Sequence, residues 1–179
     1  MHRAGWKLAF VLVAVSVALP CRADTPTREY QVKAAFVYNF TQFVAWPDSA
    51  FASKDSPFVV ATIGDDPFNG ALEAAMNGKS AASRPIVVKH FSSVDEAATC
   101  QLLFVPASQD SNLSALFSRL DKKPILAIGE NDAFMAAGGG IRFYIDGNRI
   151  RFEIDPDSIA ADALKVSAKL MKLARIYQK

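Results

Sequence analysis

The sequence predicts an α/β protein in which helices cover a mixed β-sheet. Four short apolar runs alternate with helical patterns through most of the chain, which is typical of parallel strands joined by helices. Two later runs, at 141–145 and 149–154, are joined through Asp-Gly-Asn, which is a strong β-hairpin signal. We therefore expect a layered α/β sandwich whose sheet combines parallel strands with a C-terminal hairpin, with helices at both ends of the mature chain.

The first 23 residues have the three parts of a secretory signal peptide. Two basic residues precede an apolar run over 8–19, and small residues lead to an expected cut after Ala23. The apolar run is shorter than the about 20 residues that a spanning helix needs. Lipidation at Cys21 is a poorer alternative, because Pro20 directly precedes it. We therefore expect cleavage of residues 1–23 and secretion of the remainder.

The charge balance of the secreted part argues against a nucleic-acid partner. Loss of residues 1–23 removes three basic residues and no acid, which leaves 17 basic and 18 acidic side chains. No basic patch of the kind that binds nucleic acid remains. The length of 24–179 suits one domain with an adequate core, and no linker or low-complexity tract divides it.

An aromatic helix opens the mature chain and should anchor the fold. The helical spacing extends from Tyr30 to Trp46, where Pro47 favours an end. The predicted buried stripe comprises Val32, Ala35, Phe36, Asn39, Phe40, Phe43 and Val44. A buried Asn39 with hydrogen-bond partners is the expected case. If this face is exposed instead, its aromatic side chains form a protein-interaction patch.

The middle of the chain predicts the parallel strands in order. The strands are expected at 58–63, 84–91, 100–105 and 124–128. Helical segments should follow Pro67, occupy 94–98, and extend over 110–120. Gly138, Gly139 and Gly140 precede a strand, whereas phosphate-binding loops follow one and open a helix. We therefore interpret these glycines as a flexible lead into the hairpin.

Polar residues alternate with apolar ones along the hairpin, so one of its faces should be polar. These polar residues are Arg142, Tyr144, Arg149, Arg151 and Glu153. A final helix should begin at the capping sequence Asp155-Pro156-Asp157. Its apolar stripe is expected to contain Ile159, Ala163, Val166, Leu170, Leu173 and Tyr177.

Acids follow two of the predicted parallel strands, at the edge where open α/β sheets bind ligands. The residues of this candidate ligand crevice are Gly64, Asp65, Asp66, Gly129, Glu130 and Asp132. Their carboxylates could bind a hard cation or a cationic ligand. Helix caps and solvated turns explain the same spacing fully, and this is the favoured interpretation.

The mature chain offers few groups for catalysis. Cys100 is its single cysteine, so we expect a buried thiol, with a reactive thiol or an intermolecular disulfide as the alternative. His90 is its single histidine, so a zinc site based on histidine and cysteine has too few ligands. No Gly-x-Ser-x-Gly motif supports a serine nucleophile. We therefore expect no cofactor, no metal site and no enzymatic activity.

Several segments distributed along nearly the whole mature chain follow a recognisable family pattern. The first is the run from Lys33 to Pro47, Lys-Ala-Ala-Phe-Val-Tyr-Asn-Phe-Thr-Gln-Phe-Val-Ala-Trp-Pro. The others are 63–68 (Ile-Gly-Asp-Asp-Pro-Phe), 84–88, 100–105, 125–129, 139–143, 151–155 and 169–174. Together these segments resemble the YfiR/HmsC family of bacterial periplasmic proteins.

The resemblance implies a dimeric α/β regulator without enzymatic activity. The family's best-known members act in the periplasm on an inner-membrane diguanylate cyclase and hold down cyclic-di-GMP output and biofilm formation. Members often pair a cysteine at the Cys100 position with one in the strand before Gly-Asp-Asp. Here Ala61 stands at that second position, so redox control through this bridge is doubtful.

The candidate partner-binding residues lie on the first helix and on the polar face of the hairpin. They are Phe36, Asn39, Phe40, Arg142, Tyr144, Arg149, Arg151 and Glu153. The alternative function is a periplasmic module that binds a small ligand or cation at the acidic strand ends.

Overall fold

The computed structural model describes residues 27–178, so the expected leader at 1–23 lies outside the described residues. The helices are α1 (Arg28–Phe43), α2 (Ala71–Met76), α3 (Val94–Ala97), α4 (Leu113–Leu120), α5 (Asp132–Ala136), α6 (Pro156–Ala161) and α7 (Ala168–Met171). Short 3-10 helices span Asp48–Ala50 and Ala107–Asn112. The strands are β1 (Val44–Ala45), β2 (Phe58–Ile63), β3 (Ser80–Ala81), β4 (Arg84–Phe91), β5 (Leu102–Phe104), β6 (Leu126–Gly129), β7 (Ile141–Asp146), β8 (Arg149–Ile154), β9 (Lys165–Val166) and β10 (Arg175–Ile176). None of the helices within 27–178 combines the length and apolar character needed to cross a bilayer.

An eight-stranded mixed sheet organises the fold, with the strand order β10-β8-β7-β6-β5-β2-β4-β3. Strands β4, β2, β5, β6 and β7 are parallel, whereas β8 returns antiparallel to β7 through the predicted hairpin. Strand β2 is the first strand of this sheet along the chain. Strand β4 lies on one side of β2, and β5, β6 and β7 follow in order on the other side. The predicted α/β class with a mixed sheet is therefore confirmed.

Apolar clusters on the two faces of the sheet hold the helices against it. Phe58 and Val60 of β2 belong to one cluster together with Phe40 of α1. Val59 and Ala61 belong to the other cluster, which also contains the buried face of α4. Side chains alternate between faces along a strand, so β2 contributes to both clusters. All of its residues are buried, as expected for a parallel strand covered on both faces.

The buried face of α1 differs from the predicted stripe, and the expected burial of Asn39 is wrong. The buried residues of the helix are Lys33, Ala34, Val37, Phe40 and Thr41, whereas Asn39 is exposed. Two of these buried side chains are polar, and the fold supplies their partners. Lys33 pairs with Glu130, and the Thr41 hydroxyl donates to the Tyr38 carbonyl oxygen at 2.7 Å. The spacing of apolar residues alone does not predict a buried face that includes polar side chains with hydrogen-bond or ion-pair partners.

The single long final helix is also wrong, because the segment forms α6, β9, α7 and β10 instead. Ala163 adopts a left-handed φ of +60° that interrupts the helix. Val166 then pairs with Val44 of β1, which also explains why α1 ends at Phe43 rather than near Trp46. Pairing of β9 with β1 and of β10 with β8 overrides the helical spacing of the apolar residues.

Two of the three consecutive glycines, Gly139 and Gly140, are packed tightly, contrary to the expected flexible lead into the hairpin, whereas Gly138 has a positive φ of +115°. The ring of Phe134 lies where a Cβ on Gly129 or Gly139 would collide with it. A Cβ on Gly140 would lie 2.9 Å from the Cγ1 atom of Ile159. Gly129, Gly139 and Gly140 therefore lack a Cβ because α5 and α6 approach this backbone closely.

Candidate functional site

The first set of predicted crevice residues follows β2. Gly64 has a left-handed φ of +73°, and a Cβ there would collide with the side-chain amide of Gln109. Asp65 is exposed. Asp66 accepts a hydrogen bond from the Phe68 amide at 3.0 Å, so its carboxylate stabilises the turn before α2.

The second set follows β6 and is engaged by α1 and β7. The Glu130 carboxylate lies 2.5 Å from the Lys33 ammonium and accepts a hydrogen bond from the Tyr30 hydroxyl at 3.1 Å. Burial and the Glu130 charge raise the pKa of Tyr30, so this hydroxyl stays protonated as a donor. Asp132 forms an ion pair with Arg142 of β7. These contacts attach α1 and the hairpin to the carboxyl end of β6.

The fold does not gather the two acidic sets into one ligand shell. Strand β5 separates β2 from β6 in the sheet. Asp66, Glu130 and Asp132 each have a partner from the protein, as described above. Among residues 27–178, no group of three or more histidine, cysteine or acidic side chains could hold a metal ion. The ligand crevice therefore stays a prediction, and the structure adds no second feature in its favour.

His90 lies between a hydroxyl and a carboxylate, an arrangement that the sequence does not indicate. Its Nδ1 atom is 2.8 Å from the Thr62 hydroxyl, and its Nε2 atom is 2.6 Å from a Glu73 carboxylate oxygen. An acid, an imidazole and a hydroxyl in this order resemble a nucleophile with its base. Thr62, however, is fully buried, so no substrate can reach its hydroxyl. The contacts connect β2, β4 and α2 and have a structural role.

Cys100 is buried, as expected, and its thiol donates a hydrogen bond to the backbone. The Sγ atom lies 3.2 Å from the Ala97 carbonyl oxygen, and the side chain is 3 % exposed. Burial raises the pKa of this thiol to about 12, so the nucleophilic thiolate is absent near neutral pH. Ala61 belongs to the same apolar cluster and offers no sulfur for a disulfide.

Part of the polar hairpin face forms a buried ion network. Arg142 and Glu153 are 9 % and 2 % exposed, and their side chains approach to 2.5 Å between Nη2 and Oε1. Arg175 of β10 donates from Nε to Glu153 Oε2 at 2.7 Å, and its guanidinium covers the Tyr144 ring at 4.0 Å. These predicted binding residues connect the hairpin to the end of the chain.

Other predicted partner-binding residues lie together in an open groove between α1 and the hairpin tip. The α1–hairpin groove has a volume of about 660 Å³, and its lining includes Phe36, Arg149 and Arg151. Asn39 is exposed on α1 but does not line the groove, and Phe40 is fully buried beneath the helix.

Sequence reasoning missed several residues of this groove, among them Arg28, Ile145 and Ile150. The apolar face of the hairpin continues past Phe143 and Phe152, which α1 covers through Phe36, to the paired Ile145 and Ile150 at the tip. An apolar pair beside a tight turn, beyond the covered part of a hairpin, is a signal that could have revealed this surface.

The sequence model of the YfiR/HmsC-like family matches residues 30–175, from the first turns of α1 to the start of β10. No curated protein matches the chain significantly. The family match includes the strands of the sheet up to the first residue of β10, and the lining of the α1–hairpin groove apart from Arg28 and Glu29. It covers well over half of the sequence, in agreement with the resemblance of the separate segments. The chain therefore belongs to the YfiR/HmsC-like family.

Proposed function

We propose that this chain is a periplasmic protein that represses an inner-membrane diguanylate cyclase by binding the cyclase's periplasmic sensor part. Membership of the YfiR/HmsC-like family over residues 30–175 carries the proposal, because this family is regulatory rather than catalytic. Repression would lower cyclic-di-GMP and biofilm formation. The predicted signal peptide supports a periplasmic location, since it would direct the mature chain out of the cytoplasm.

The side chains described above support a binding role over a catalytic one. Both ring nitrogens of His90 are engaged, and the hydroxyl beside this histidine is inaccessible. The Cys100 thiol is buried and protonated. A repressor needs none of these groups, because it acts by binding the inactive state of the cyclase more tightly than the active state. The α1–hairpin groove provides an exposed surface for such binding.

Deletion of the gene tests the proposal directly. We expect the deletion strain to contain more cyclic-di-GMP, measured by mass spectrometry, and to attach more strongly to surfaces. The full-length gene should restore both values. A matched gene lacking codons 2–23 should not restore them, because its product stays in the cytoplasm. Unchanged cyclic-di-GMP after deletion would contradict the cyclase-specific function.

The proposal includes a homodimer, as the family resemblance implies. Sedimentation equilibrium of the processed protein measures its molecular mass without a standard of similar shape. A dimer mass at micromolar concentration is expected. A monomer mass throughout this range would mean that repression requires one copy only.

A further inference from the structure

The α1–hairpin groove has an apolar floor that the fold leaves open. Val32 and Ile145 are 39 % and 62 % exposed, and Phe36 and Ile150 are partly buried beside them. Exposed apolar groups that lie together, with a polar rim, are typical of surfaces that bind a partner. Burial of this floor would therefore favour association.

The rim of the groove is positively charged. Arg28, Arg149 and Arg151 line it, and none of them forms an ion pair with an acid within residues 27–178. Among the described residues of the lining, the single acid is Glu29, which pairs with Lys33 one turn along α1. The uncompensated charge of the groove is therefore basic, which favours an acidic occupant.

One wall of the groove is an open strand edge. Strand β10 pairs with β8 only at Glu153 and Ile154. The Ile154 carbonyl oxygen accepts a hydrogen bond from the Tyr177 amide at 2.8 Å, so Ile154 directs its backbone groups away from β7. Along a strand of an antiparallel pair, successive residues direct their N–H and C=O groups alternately toward the partner strand and away from it. Ile150 lies four residues before Ile154, so its N–H and C=O groups also point away from β7. Within the described chain, no strand pairs with Ile150 on that side.

We propose that the α1–hairpin groove binds an extended acidic segment of a partner protein, which adds as a strand beside Ile150. Main-chain hydrogen bonds to an open edge give such segments affinity, and pockets for alternate side chains give them specificity. Alternate apolar side chains of the segment contact Val32, Phe36 and Ile145, and its acids lie against the arginines. The inference rests on the proposed function and specifies how the repressor recognises its partner.

A second copy of the chain is a poorer occupant of the same groove. A two-fold symmetric contact would use the same surface of both copies. It would bring Arg28, Arg149 and Arg151 of each copy into one interface, and this accumulation of like charge opposes association. The basic rim therefore favours a different, acidic protein.

Fluorescence anisotropy with a labelled peptide of alternating glutamate and valine tests the charge requirement. The processed protein should bind this peptide, with affinity that falls as salt is added, and should not bind a matched lysine–valine peptide. The double variant Arg149→Glu/Arg151→Glu should raise the Kd by about tenfold or more, because two favourable charge contacts become repulsive. Lys169→Glu/Lys172→Glu makes the same charge change on exposed side chains outside the groove lining and should alter the Kd by less than about twofold.

Two substitutions at Ile150 test strand addition itself. Ile150→Ala removes most of the side chain but keeps the outward N–H, whereas Ile150→Pro also removes this donor. Proline is tolerated at edge positions whose N–H faces solvent, so the fold should survive, as circular dichroism can verify. We expect weaker peptide binding by Ile150→Pro than by Ile150→Ala. In the unsubstituted protein, the peptide should slow hydrogen exchange of the Ile150 amide.

The possible results separate the inference from the proposed function. Equal binding of acidic and basic peptides, or no protection of the Ile150 amide, overturns the inference. So does groove-dependent self-association, seen as dimerisation that Arg149→Glu/Arg151→Glu abolishes. Normal cyclic-di-GMP repression by that double variant would also overturn the inference while leaving the proposed function intact. Unchanged cyclic-di-GMP after gene deletion, together with peptide binding, would instead reject the proposed function alone.

Discussion

At the scale of single residues, buried polar side chains join segments that are distant in the sequence. The Gln101 side chain accepts a hydrogen bond from the Val59 amide at 2.8 Å and donates one to the Ala50 carbonyl oxygen at 2.6 Å. The backbone carbonyl oxygen of Gln101 accepts a hydrogen bond from the Trp46 indole N–H at 3.0 Å. A buried amide with such partners helps to fix a unique arrangement, because any displacement leaves polar groups unpaired.

Gly139→Ala should destabilise the protein, because the new Cβ collides with the Phe134 ring. Overpacking of this kind lowers the free energy of unfolding by about 1–3 kcal/mol, measurable by urea denaturation. Phe134→Leu removes part of the obstructing ring, so Gly139→Ala should cost less in that background. Equal costs in the two backgrounds would show that the ring does not require the glycine.

Asp162→Asn should stabilise the protein more at pH 8 than at pH 5. Burial and the Asp121 carboxylate raise the pKa of Asp162 to about 6 in the folded state. Because this value lies above that of the unfolded chain, the folded state loses stability as the pH rises through about 6. The asparagine is neutral at every pH and avoids this loss.

Thermal unfolding of the wild type and of Asp162→Asn at the two pH values measures this difference. The exposed Asp55 provides a matched control. The melting temperature of Asp55→Asn should equal that of the wild type at both pH values. An equal effect of Asp162→Asn at pH 5 and pH 8 would exclude a titration of this carboxyl.

At the scale of elements, strand pairing shapes the C-terminal part of the chain. Segment 155–178 contains two short helices, and β9 and β10 pair with strands from elsewhere in the chain. Arg175 of β10 also reaches the buried Glu153 through an ion pair. The segment therefore joins α1 and the hairpin, and its contacts depend on a backbone that is not continuously helical.

The substitutions Ala163→Gly and Ala160→Gly distinguish this arrangement from one long helix. Ala163 has a left-handed φ, where glycine relieves strain, so Ala163→Gly should leave the free energy of unfolding unchanged or raise it by up to about 1 kcal/mol. Ala160 is exposed within α6, where glycine should cost about 1 kcal/mol. Urea denaturation compares the two variants. Similar losses for both would indicate a continuous helix through Ala163.

At the scale of the whole molecule, the first 23 residues differ in composition from the rest of the chain. Residues 1–23 carry basic charge and an apolar run, whereas residues 24–179 are nearly balanced in charge. Residues within 27–178 form the described sheet and both described apolar clusters. The groove that we propose as the binding surface belongs to this part, so processing should leave it intact.

The intact mass of the protein from a periplasmic extract should correspond to residues 24–179. Ala23→Leu should slow processing, because the position before the cut requires a small residue. Ala18→Leu makes the same change within the apolar run and should be processed normally. Recovery of the full-length mass from wild-type cells would contradict cleavage after Ala23.

Local patterns in the sequence determined the central parallel strands and the hairpin of this protein. The bounds of β2 and β4 agree with their apolar runs, and Asp-Gly-Asn predicted the turn between β7 and β8. These features have local causes: side chains alternate along a strand, and few residues suit a tight turn. The mixed α/β class followed from their order along the chain.

Only the tertiary structure decided which face of α1 is buried, where the final segment is interrupted, and which residues form the groove. Lys33 is buried because Glu130, far along the chain, supplies its partner. Val166 leaves helical structure because Val44 pairs with it. The groove exists because the hairpin extends beside α1, which brings Arg149 and Arg151 near Phe36. Each outcome depends on the free energy of contacts between distant segments, and such contacts leave no periodic signal in the sequence.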